Sequence, residues 1–146
     1  MAALNVYLNF AGNCEEAFNY YKSVFGGEFP YIGRYKDMPP QEGMPPITGE
    51  AGEKILHVSL PMSGGAVLMG ADVIEGFGPA LVAGNNVSLS LNVDSREEAD
   101  RLFGALSSGG AVIMPMGDTF WNAYFGMCVD SFGINWMISF ENPQAG

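Results

Sequence analysis

The sequence predicts an α+β fold made of two βαβββ modules, whose curved mixed sheets surround a cleft. Three observations predict it: an internal repeat, strands with alternating side chains, and helices with one apolar stripe. The repeat is direct, since residues 8–27 read LNFAGNCEEAFNYYKSVFGG and residues 91–110 read LNVDSREEADRLFGALSSGG. Both copies run from Leu-Asn through Glu-Glu-Ala to Gly-Gly, and such a repeat indicates two copies of one structural unit.

The first strand and the first helix of each copy follow from the hydrophobic period. LNVYLNF and NVSLSLNV alternate apolar and polar residues, which is the pattern of a strand with one buried face. Each Glu-Glu-Ala then opens a helix, with Asn13 or Cys14, and Asp94 or Ser95, as the candidate N-caps. The acidic pair lies in the electropositive first turn, and Gly-Gly suits the left-handed end of each helix.

The remaining strands complete each module. EFPYIGRYK and AVIMPM are short candidate edge strands, and two hairpins are expected to turn at residues 63–65 and 130–133. The modules are therefore expected at about 1–75 and 84–142 of a single domain, joined by the Gly-rich stretch EGFGPALVAGN. Residues 37–53 contain four prolines and three glycines, which predicts a mobile loop of the kind that covers binding sites.

Composition argues against several classes of partner. The net charge is −10, from 16 acidic residues against 6 Lys and Arg, so a phosphate backbone or an anionic membrane surface is repelled. No apolar run approaches the roughly 20 residues of a membrane span, and MAALNVYLNF lacks the basic start of a signal peptide. We therefore expect a cytoplasmic protein without nucleic-acid or membrane partners, in which Cys14 and Cys128 are reduced.

The sheet face that is turned away from the helices is the expected site of function. A face that mixes polar and aromatic side chains suits a small ligand, and it equally suits a dimer interface. Trp136 alternates with Met137 and belongs to the core. Trp121, Ala123 and Phe125 share one face of the preceding strand. The candidate ligand-binding residues are Asn5, Tyr7, Asn9, His57, Ser59, Ser88, Trp121, Phe125 and Met137.

His57 is the one histidine of the chain and the candidate catalytic residue. Imidazole titrates near neutral pH, so a histidine on a concave face is suited to act as a general base, although a lone histidine is more often structural. Asp72, Asp118 and Asp130 are expected to cap turns. The sequence contains no Gly-x-Gly-x-x-Gly after a strand, no Walker loop, no His-Glu-x-x-His and no Gly-x-Ser-x-Gly, so motifs for those chemistries are absent.

Three stretches carry a resemblance to a known superfamily. LNFAGNCEEAFNYYKSVFGGE, ILHVSL and DTFWNAYFGMCVDSFGINWMI resemble the PhnB-like branch of the vicinal oxygen chelate superfamily, which includes glyoxalase I, extradiol dioxygenases and bleomycin-resistance proteins. The resemblance implies paired βαβββ modules, in agreement with the repeat. Members of this branch are often labelled demethylubiquinone methyltransferases. Nothing in the sequence resembles the nucleotide-binding loop of a methyltransferase, so we do not expect that chemistry.

The resemblance also implies where a divalent metal would bind. Enzymes of the superfamily usually supply His or Glu ligands, one from each of four strands. The matching positions are Asn5, His57 or Ser59, Ser88 and Met137. Neutral amide and hydroxyl oxygens bind a divalent ion weakly, and a thioether prefers soft metals. We therefore expect no such metal site, no cofactor, and neither glyoxalase I nor dioxygenase activity.

Three functions remain open from the sequence. The first is a metal-free small-molecule binder that resembles the bleomycin-resistance proteins, which are acidic dimers that sequester cationic drugs. The net charge of −10 and the rings of Trp121 and Phe125 suit such a cationic planar ligand. The second is a lyase or isomerase on a small oxygenated or phosphonate metabolite, with His57 as the base. The third is a sheet surface that serves dimerisation alone. The resemblance implies a homodimer.

Overall fold

Each half of the chain forms one βαβββ module. The computed structural model describes residues 2–39 and 41–143. The first module consists of β1 (Val6–Phe10), α1 (Cys14–Phe25), β2 (Tyr31–Arg34), a 3₁₀ turn (Tyr35–Asp37), the short α2 (Gly49–Gly52), β3 (Ile55–Pro61) and β4 (Val67–Asp72). The second consists of β5 (Leu89–Asn92), α3 (Arg96–Ser107), β6 (Ala111–Asp118), β7 (Ala123–Val129) and β8 (Asn135–Glu141).

The two sheets have the same strand order. The first runs β1-β4-β3-β2 and the second runs β5-β8-β7-β6. The pairs β1–β4 and β5–β8 are parallel, and the other pairs are antiparallel, so both are mixed sheets of four strands. Both sheets are open, and neither curls closed on itself. The predicted α+β class with two βαβββ modules is confirmed, as are β2 and β6 as edge strands.

The chain divides into two compact units between Val82 and Ala83, and each unit holds one module. Strand register shows that the modules are copies of one another. Val58 pairs with Gly70 in the first hairpin, and Gly126 pairs with Ile138 in the second. The offset is 68 residues on both strands (58 to 126 and 70 to 138). The cleft and the single domain that the sequence predicts for the two modules stay predictions.

Each helix packs on its sheet where a glycine leaves room for an aromatic ring. A Cβ atom at Gly70 would lie 2.6 Å from the ring of Phe18 on α1. A Cβ atom at Gly126 would lie 3.0 Å from the ring of Phe103 on α3. Phe18 is fully buried and meets the ring of Tyr21 edge-on at 5.5 Å between centroids. Because interiors are close-packed, these two glycines set how near each helix lies to its sheet.

Asp130 organises the turn between β7 and β8. Its Oδ1 accepts hydrogen bonds from the backbone N–H groups of Phe132 at 2.8 Å and Ile134 at 3.0 Å, which confirms the predicted cap of this turn. Its Oδ2 accepts a hydrogen bond from the indole Nε1–H of Trp136 at 2.8 Å. Trp136 is buried, as predicted, and the carboxylate satisfies the one polar atom of its side chain.

Asp72 does not cap a local turn, and that prediction is wrong. Its side chain is buried at the end of β4, 1% exposed, and joins segments that are distant in sequence. Oδ1 accepts hydrogen bonds from the N–H groups of Gly12 at 3.0 Å and Cys14 at 2.9 Å, and Oδ2 accepts one from Ile55 at 2.9 Å. The N-cap residue Asn13 makes no side-chain cap bond. Asp72 therefore satisfies N–H groups at the start of α1 from across the sheet.

The second module caps its helix locally. Ser95 Oγ accepts a hydrogen bond from the N–H of Glu98 at 3.1 Å, which confirms one of the predicted N-caps. The turn-capping role expected of Asp118 is wrong, since its carboxylate forms an ion pair with Arg96 at 3.0 Å. The guanidinium of Arg96 also lies 4.1 Å from the ring centroid of Tyr124. The start of α3 is thus attached to β6 and β7 by charge and by ring stacking.

Trp121 lies in the turn between β6 and β7 and not on the strand that the sequence predicts. The turn covers residues 119–122, and Asn122 in it has a φ of 66°. Asparagine tolerates this left-handed conformation better than most residues do, so the chain reverses where the alternating pattern continues. In the predicted loop 37–53 the structure contains α2 and a buried Ile47, while Pro40 lies outside the described residues. The mobility of this loop stays a prediction.

We expect the Asp72→Ala substitution to lower the free energy of unfolding by about 3–5 kcal/mol, because three buried N–H groups lose a charged acceptor. Asp118→Ala is the matched control, since it removes the same side chain from an exposed ion pair. Its expected cost is below about 1 kcal/mol. Urea denaturation followed by circular dichroism measures both values. Equal losses in the two variants would contradict the role assigned to Asp72.

Candidate functional site

A row of four side chains crosses the open face of the first sheet. Tyr7 of β1 pairs with Met69 of β4, Met69 pairs with Ser59 of β3, and Ser59 pairs with Tyr31 of β2. Residues that pair directly in a sheet point to the same face. The intervening apolar residues of β3 and β4 are buried in the core, so this row lies on the opposite, open side. It contains two aromatic rings, a hydroxyl and a thioether.

His57 lies between the two tyrosines of this row. Its Nδ1 is 3.2 Å from the hydroxyl of Tyr7. Its ring centroid is 5.5 Å from that of Tyr7 and 5.8 Å from that of Tyr31. If the Tyr7 hydroxyl donates to Nδ1, Nε2 carries the proton and is a donor. If Nδ1 donates to Tyr7, the Nε2 lone pair is free to accept a proton.

A β-bulge brings an apolar side chain to the same face. Gly33 of β2 pairs with His57, whereas Arg34 pairs with Ile55, so Leu56 is an extra residue on β3. A bulge of this type turns two successive side chains toward one side of the sheet. Leu56 accordingly lines a cavity together with Tyr7. The sequence places Leu56 and His57 on opposite faces, because a regular strand alternates.

The cavity has a volume of ≈460 Å³ and lies wholly within the first compact unit. Its polar lining comes from Tyr7, Asn9 and Tyr35, and its apolar floor from Leu56 and Ala71. The chain segment that follows β4 forms the remaining wall, which consists of Asp72, Val73, Phe77, Pro79, Ala80, Leu81 and Val82. A pocket of this size, mostly apolar with a few convergent polar groups, is typical of small-ligand sites.

The two phenols in the cavity are neutral donors at neutral pH. Burial raises the pKa of Tyr7, and Tyr35 and Cys14 nearby raise it further. Burial also raises the pKa of Tyr35, with the Asp72 carboxylate as the next cause. The Tyr35 hydroxyl donates a hydrogen bond to the backbone oxygen of Asp72 at 2.8 Å. Tyr35 is therefore held against the end of β4, while Tyr7 reaches His57.

The structure brings four of the predicted site residues to this face: Tyr7, Asn9, His57 and Ser59. Asn5 has a different environment, because its Oδ1 accepts a hydrogen bond from the N–H of Val67 at 3.0 Å and joins the ends of β1 and β4. Of the two candidates that the hairpin register left open, His57 and not Ser59 contacts Tyr7.

The other predicted residues belong to the second unit. Met137 lies on the open face of the second sheet beside β5, and Ser88 immediately precedes β5. The ring of Trp121 meets Phe125 at 5.7 Å and Phe120 at 4.9 Å, in both cases edge to face. The predicted contact between Trp121 and the strand face of Phe125 is thus kept, although Trp121 lies in a turn. This aromatic cluster is far more exposed than the cavity, since Phe120 is 96% and Trp121 54% exposed.

Sequence reasoning missed three residues of the site. Tyr31 lies on β2, where YIGR is too short to show a period, and its ring occupies the space above Gly33. Tyr35 lies in the 3₁₀ turn, which follows neither a strand nor an α-helical period. Leu56 reaches the cavity only because of the bulge. The density of tyrosines around residues 31–35 is the one signal that points to this region.

The four positions that the resemblance implies for a divalent metal do not form a suitable ligand set. They supply one imidazole or hydroxyl, an amide, a hydroxyl and a thioether, and this set provides no anionic ligand. By the register offset, the counterpart of Met137 in the first module is Met69 and neither His57 nor Ser59. Within residues 2–39 and 41–143, no group of three or more His, Cys, Asp or Glu side chains is placed to hold a metal ion.

Comparison with known proteins places this fold and sequence in a family. Residues 2–139 match the model of the 3-demethylubiquinone-9 3-methyltransferase family. The chain belongs to that family. Protein YjdN of Escherichia coli (strain K12) is 32% identical over 146 residues, which cover 97% of each chain. The expectation that the family description does not name the chemistry of this chain stays a prediction.

Solved structures extend the comparison. The crystal structure of protein PA1353 from Pseudomonas aeruginosa is 38% identical with a TM-score of 0.82 and covers 98% of this chain and 100% of that chain. A structure from Bacillus cereus, described as a putative 3-demethylubiquinone-9 3-methyltransferase, PhnB protein, is 26% identical with a TM-score of 0.72, over 95% and 99% of the chains. Glyoxalase/bleomycin resistance protein/dioxygenase structures at 14 and 18% identity share the fold. The predicted PhnB-like, glyoxalase-like kinship is confirmed.

None of the helices in the part of the chain that the structure describes has the length and apolar character needed to cross a bilayer. This agrees with the hydropathy of the sequence. The cytoplasmic location stays a prediction.

The raised pKa values of Tyr7 and Tyr35 predict how the site responds to alkali. Each phenol has a folded-state pKa above the usual 10.0, so the stability that its neutral form contributes is present below that pH. It is lost as the pH rises through the folded-state pKa. In an alkaline absorbance titration of native protein, Tyr35→Phe is expected to remove a late-ionising phenol. Loss of an early-ionising phenol in that variant would contradict the burial argument, and the titration of urea-unfolded protein supplies the reference curve.

Proposed function

We propose that this protein binds a small cationic aromatic molecule, without a metal, on the open face of the first sheet. The observation that carries the proposal is the ≈460 Å³ cavity in which Tyr7, Asn9 and Tyr35 converge beside His57. These groups are neutral, and they offer hydrogen bonds that orient a ligand. The apolar lining from Leu56 supplies the contact area.

The preference for a cation comes from ring faces and from the field of the whole protein. Tyr7 and Tyr31 present their rings on either side of His57, and an ammonium group over such a ring gains about 0.5–2 kcal/mol. The net charge of −10 raises the local concentration of cations. Asp72 also lines the cavity, but both of its carboxylate oxygens already accept backbone hydrogen bonds. A small hard cation would therefore find no free anionic ligand among these lining residues.

The contact between His57 and Tyr7 favours one alternative, an enzyme. In the tautomer in which Nδ1 donates to the Tyr7 hydroxyl, Nε2 is available as a general base for a lyase or isomerase acting on a small oxygenated or phosphonate metabolite. Tyr7 would then be a positioning residue for the imidazole, and Asn9 would orient the substrate. Unchanged turnover by a His57→Ala variant, on any compound that the protein converts, would exclude this mechanism.

The homodimer is the second part of the proposal. Phe120 and Trp121 project from the turn between β6 and β7 with most of their surface in water, and aromatic residues are enriched at protein interfaces. Of the two roles that the sequence allows Trp121, this exposure favours the interface. A surface that serves dimerisation alone is the third function that the sequence left open, and it would leave the cavity on the first sheet without a role.

Binding is expected for phenyltrimethylammonium in isothermal titration calorimetry, and Tyr7→Leu should weaken it about tenfold because one ring face is lost. Tyr124→Leu is the matched control, since that ring lies on the second module under Arg96. Benzoate, which has a ring and the opposite charge, is expected to bind more weakly than the cation. Flat titrations for a panel of basic aromatic compounds, or stronger binding of benzoate, would contradict the proposal.

Sedimentation velocity is expected to show wild-type protein at twice the mass of one chain. Phe120→Lys should shift it to the monomer, because a charge at a buried aromatic contact of the interface is unpaired. Leu4→Lys is the control, since Leu4 is also an exposed apolar residue, at 92%, and lies in the first unit. A monomeric wild type would exclude both the dimer and the function that consists of dimerisation alone.

A further inference from the structure

Three methionines stand side by side on three neighbouring strands of the second sheet. Met137 of β8 pairs with Met127 of β7, and Met127 pairs with Met114 of β6. Directly paired residues have Cβ atoms about 4.5–5.5 Å apart and point to one face of the sheet. The three side chains therefore form a continuous row across the strands, and we call them the methionine row.

The methionine row lies on the face that is turned away from α3. The alternate residues Cys128, Trp136 and Ile138 are buried in the core of this unit. Met127 and Met137 are partly exposed, and Met114 is 47% exposed. The thioethers are thus accessible from solvent, whereas the core side chains of the same strands are not.

Two irregularities in β6 place Met114 in the row. The register with β7 shifts once between Val112 and Met114 and again between Met114 and Gly117. Between the shifts, Met114 pairs with Met127. Met116, only two residues further, lies instead on the helix side, where its Sδ approaches the position of a Cβ at Gly126. The bulges therefore separate two methionines that a regular strand would place on the same face.

The chemistry around the methionine row is neutral and soft. The side chains two residues away along β7 and β8, on the same face, are Phe125, Val129, Asn135 and Ser139, none of which is ionisable at neutral pH. Thioethers bind soft cations and are poor ligands for hard or borderline divalent ions. A methionine side chain has three rotatable bonds, so three of them on adjacent strands can converge on one ion.

We infer that Met114, Met127 and Met137 form a binding site for Cu(I), held by three thioether sulfurs. Thioethers do not titrate, so the affinity of the site does not depend on the deprotonation of a ligand. The net charge of −10 attracts cations of every kind, and the sulfurs select the soft monovalent one. The inference is independent of ligand binding on the first sheet, because all three residues lie in the second unit.

The first module supplies an internal control. Met69 occupies the position equivalent to Met137, since Met69 pairs with Tyr7 and Ser59 while Met137 pairs with Ser90 and Met127. It has the same strand, face and register but lacks a neighbouring thioether in the row, because the paired positions hold tyrosine and serine. A single thioether is not expected to retain Cu(I) against a competing chelator.

Thiols are the competing ligands that an experiment must distinguish. Cys14 and Cys128 are both buried, and burial raises the pKa of the Cys128 thiol to about 11. Burial raises the pKa of Cys14 as well. Both thiols are therefore protonated and shielded in the native protein at neutral pH, when a soft cation would need the thiolate. A readout on the methionine methyl groups separates the two kinds of sulfur.

The first test is a titration of the full chain, isotope-labelled at its methionine methyl groups, with Ag(I) as the redox-stable analogue of Cu(I). The methyl resonances of Met114, Met127 and Met137 are expected to move together and to saturate at one Ag(I) per chain. No movement, movement of one of the three alone, or equal movement of the Met69 resonance would overturn the inference.

The second test measures the Cu(I) affinity by competition with bicinchoninate under reducing conditions. Met127→Leu is expected to weaken binding about tenfold or more, since it removes the central ligand. Met69→Leu should leave the affinity within about twofold of wild type. Both substitutions nearly conserve volume, so a loss of fold is not expected, and thermal unfolding verifies this. Equal affinities in the two variants would overturn the inference.

Discussion

The carboxylate of Asp72 is withdrawn from water and held by three backbone N–H groups, which come from the loop before α1 and from the start of β3. A buried charge is tolerated only when it is fully hydrogen-bonded, so these segments must meet at the end of β4. The backbone oxygen of the same residue accepts the hydroxyl of Tyr35. One residue therefore fixes the helix, the strand that carries His57 and a wall of the cavity relative to one another.

This constraint explains why the site lies in the first module. In the second module Ser95 caps α3 locally, and Asp130 is used in the hairpin turn and on Trp136. No carboxylate at the end of β8 draws a phenol toward the open face, since that strand ends with Phe140 and Glu141. The two modules share their register, yet only the first combines a β-bulge, a buried hub and tyrosines from β1 and β2 on one face.

The sequence was sufficient for everything that depends on regular periodicity. The repeat, the alternating strands and the glycines after the helices predict eight strands in two modules, and the offset of 68 residues is visible in the hairpin turns. What could not be predicted arises where the period breaks. Leu56 is displaced by a bulge, Tyr35 lies in a 3₁₀ turn, and Trp121 lies in a turn made possible by the left-handed Asn122. The role of Asp72 was also hidden, because its partners are 17 to 60 residues away.

The same limit applies to the open face of the second sheet, and there it changes the chemistry that is expected. An uninterrupted period in AVIMPM would place Met114 and Met116 together and would pair only one of them with the core. The register shifts on both sides of Met114 instead send Met116 toward Phe103 of α3 and leave Met114 opposite Met127. Duplication thus preserved the strand register, while side chains and local bulges diverged. As a result one open face carries phenols and an imidazole, and the other carries a row of thioethers. Ligands for the two faces must differ accordingly, because hydrogen-bonding groups select an oriented organic molecule and thioethers select a soft ion.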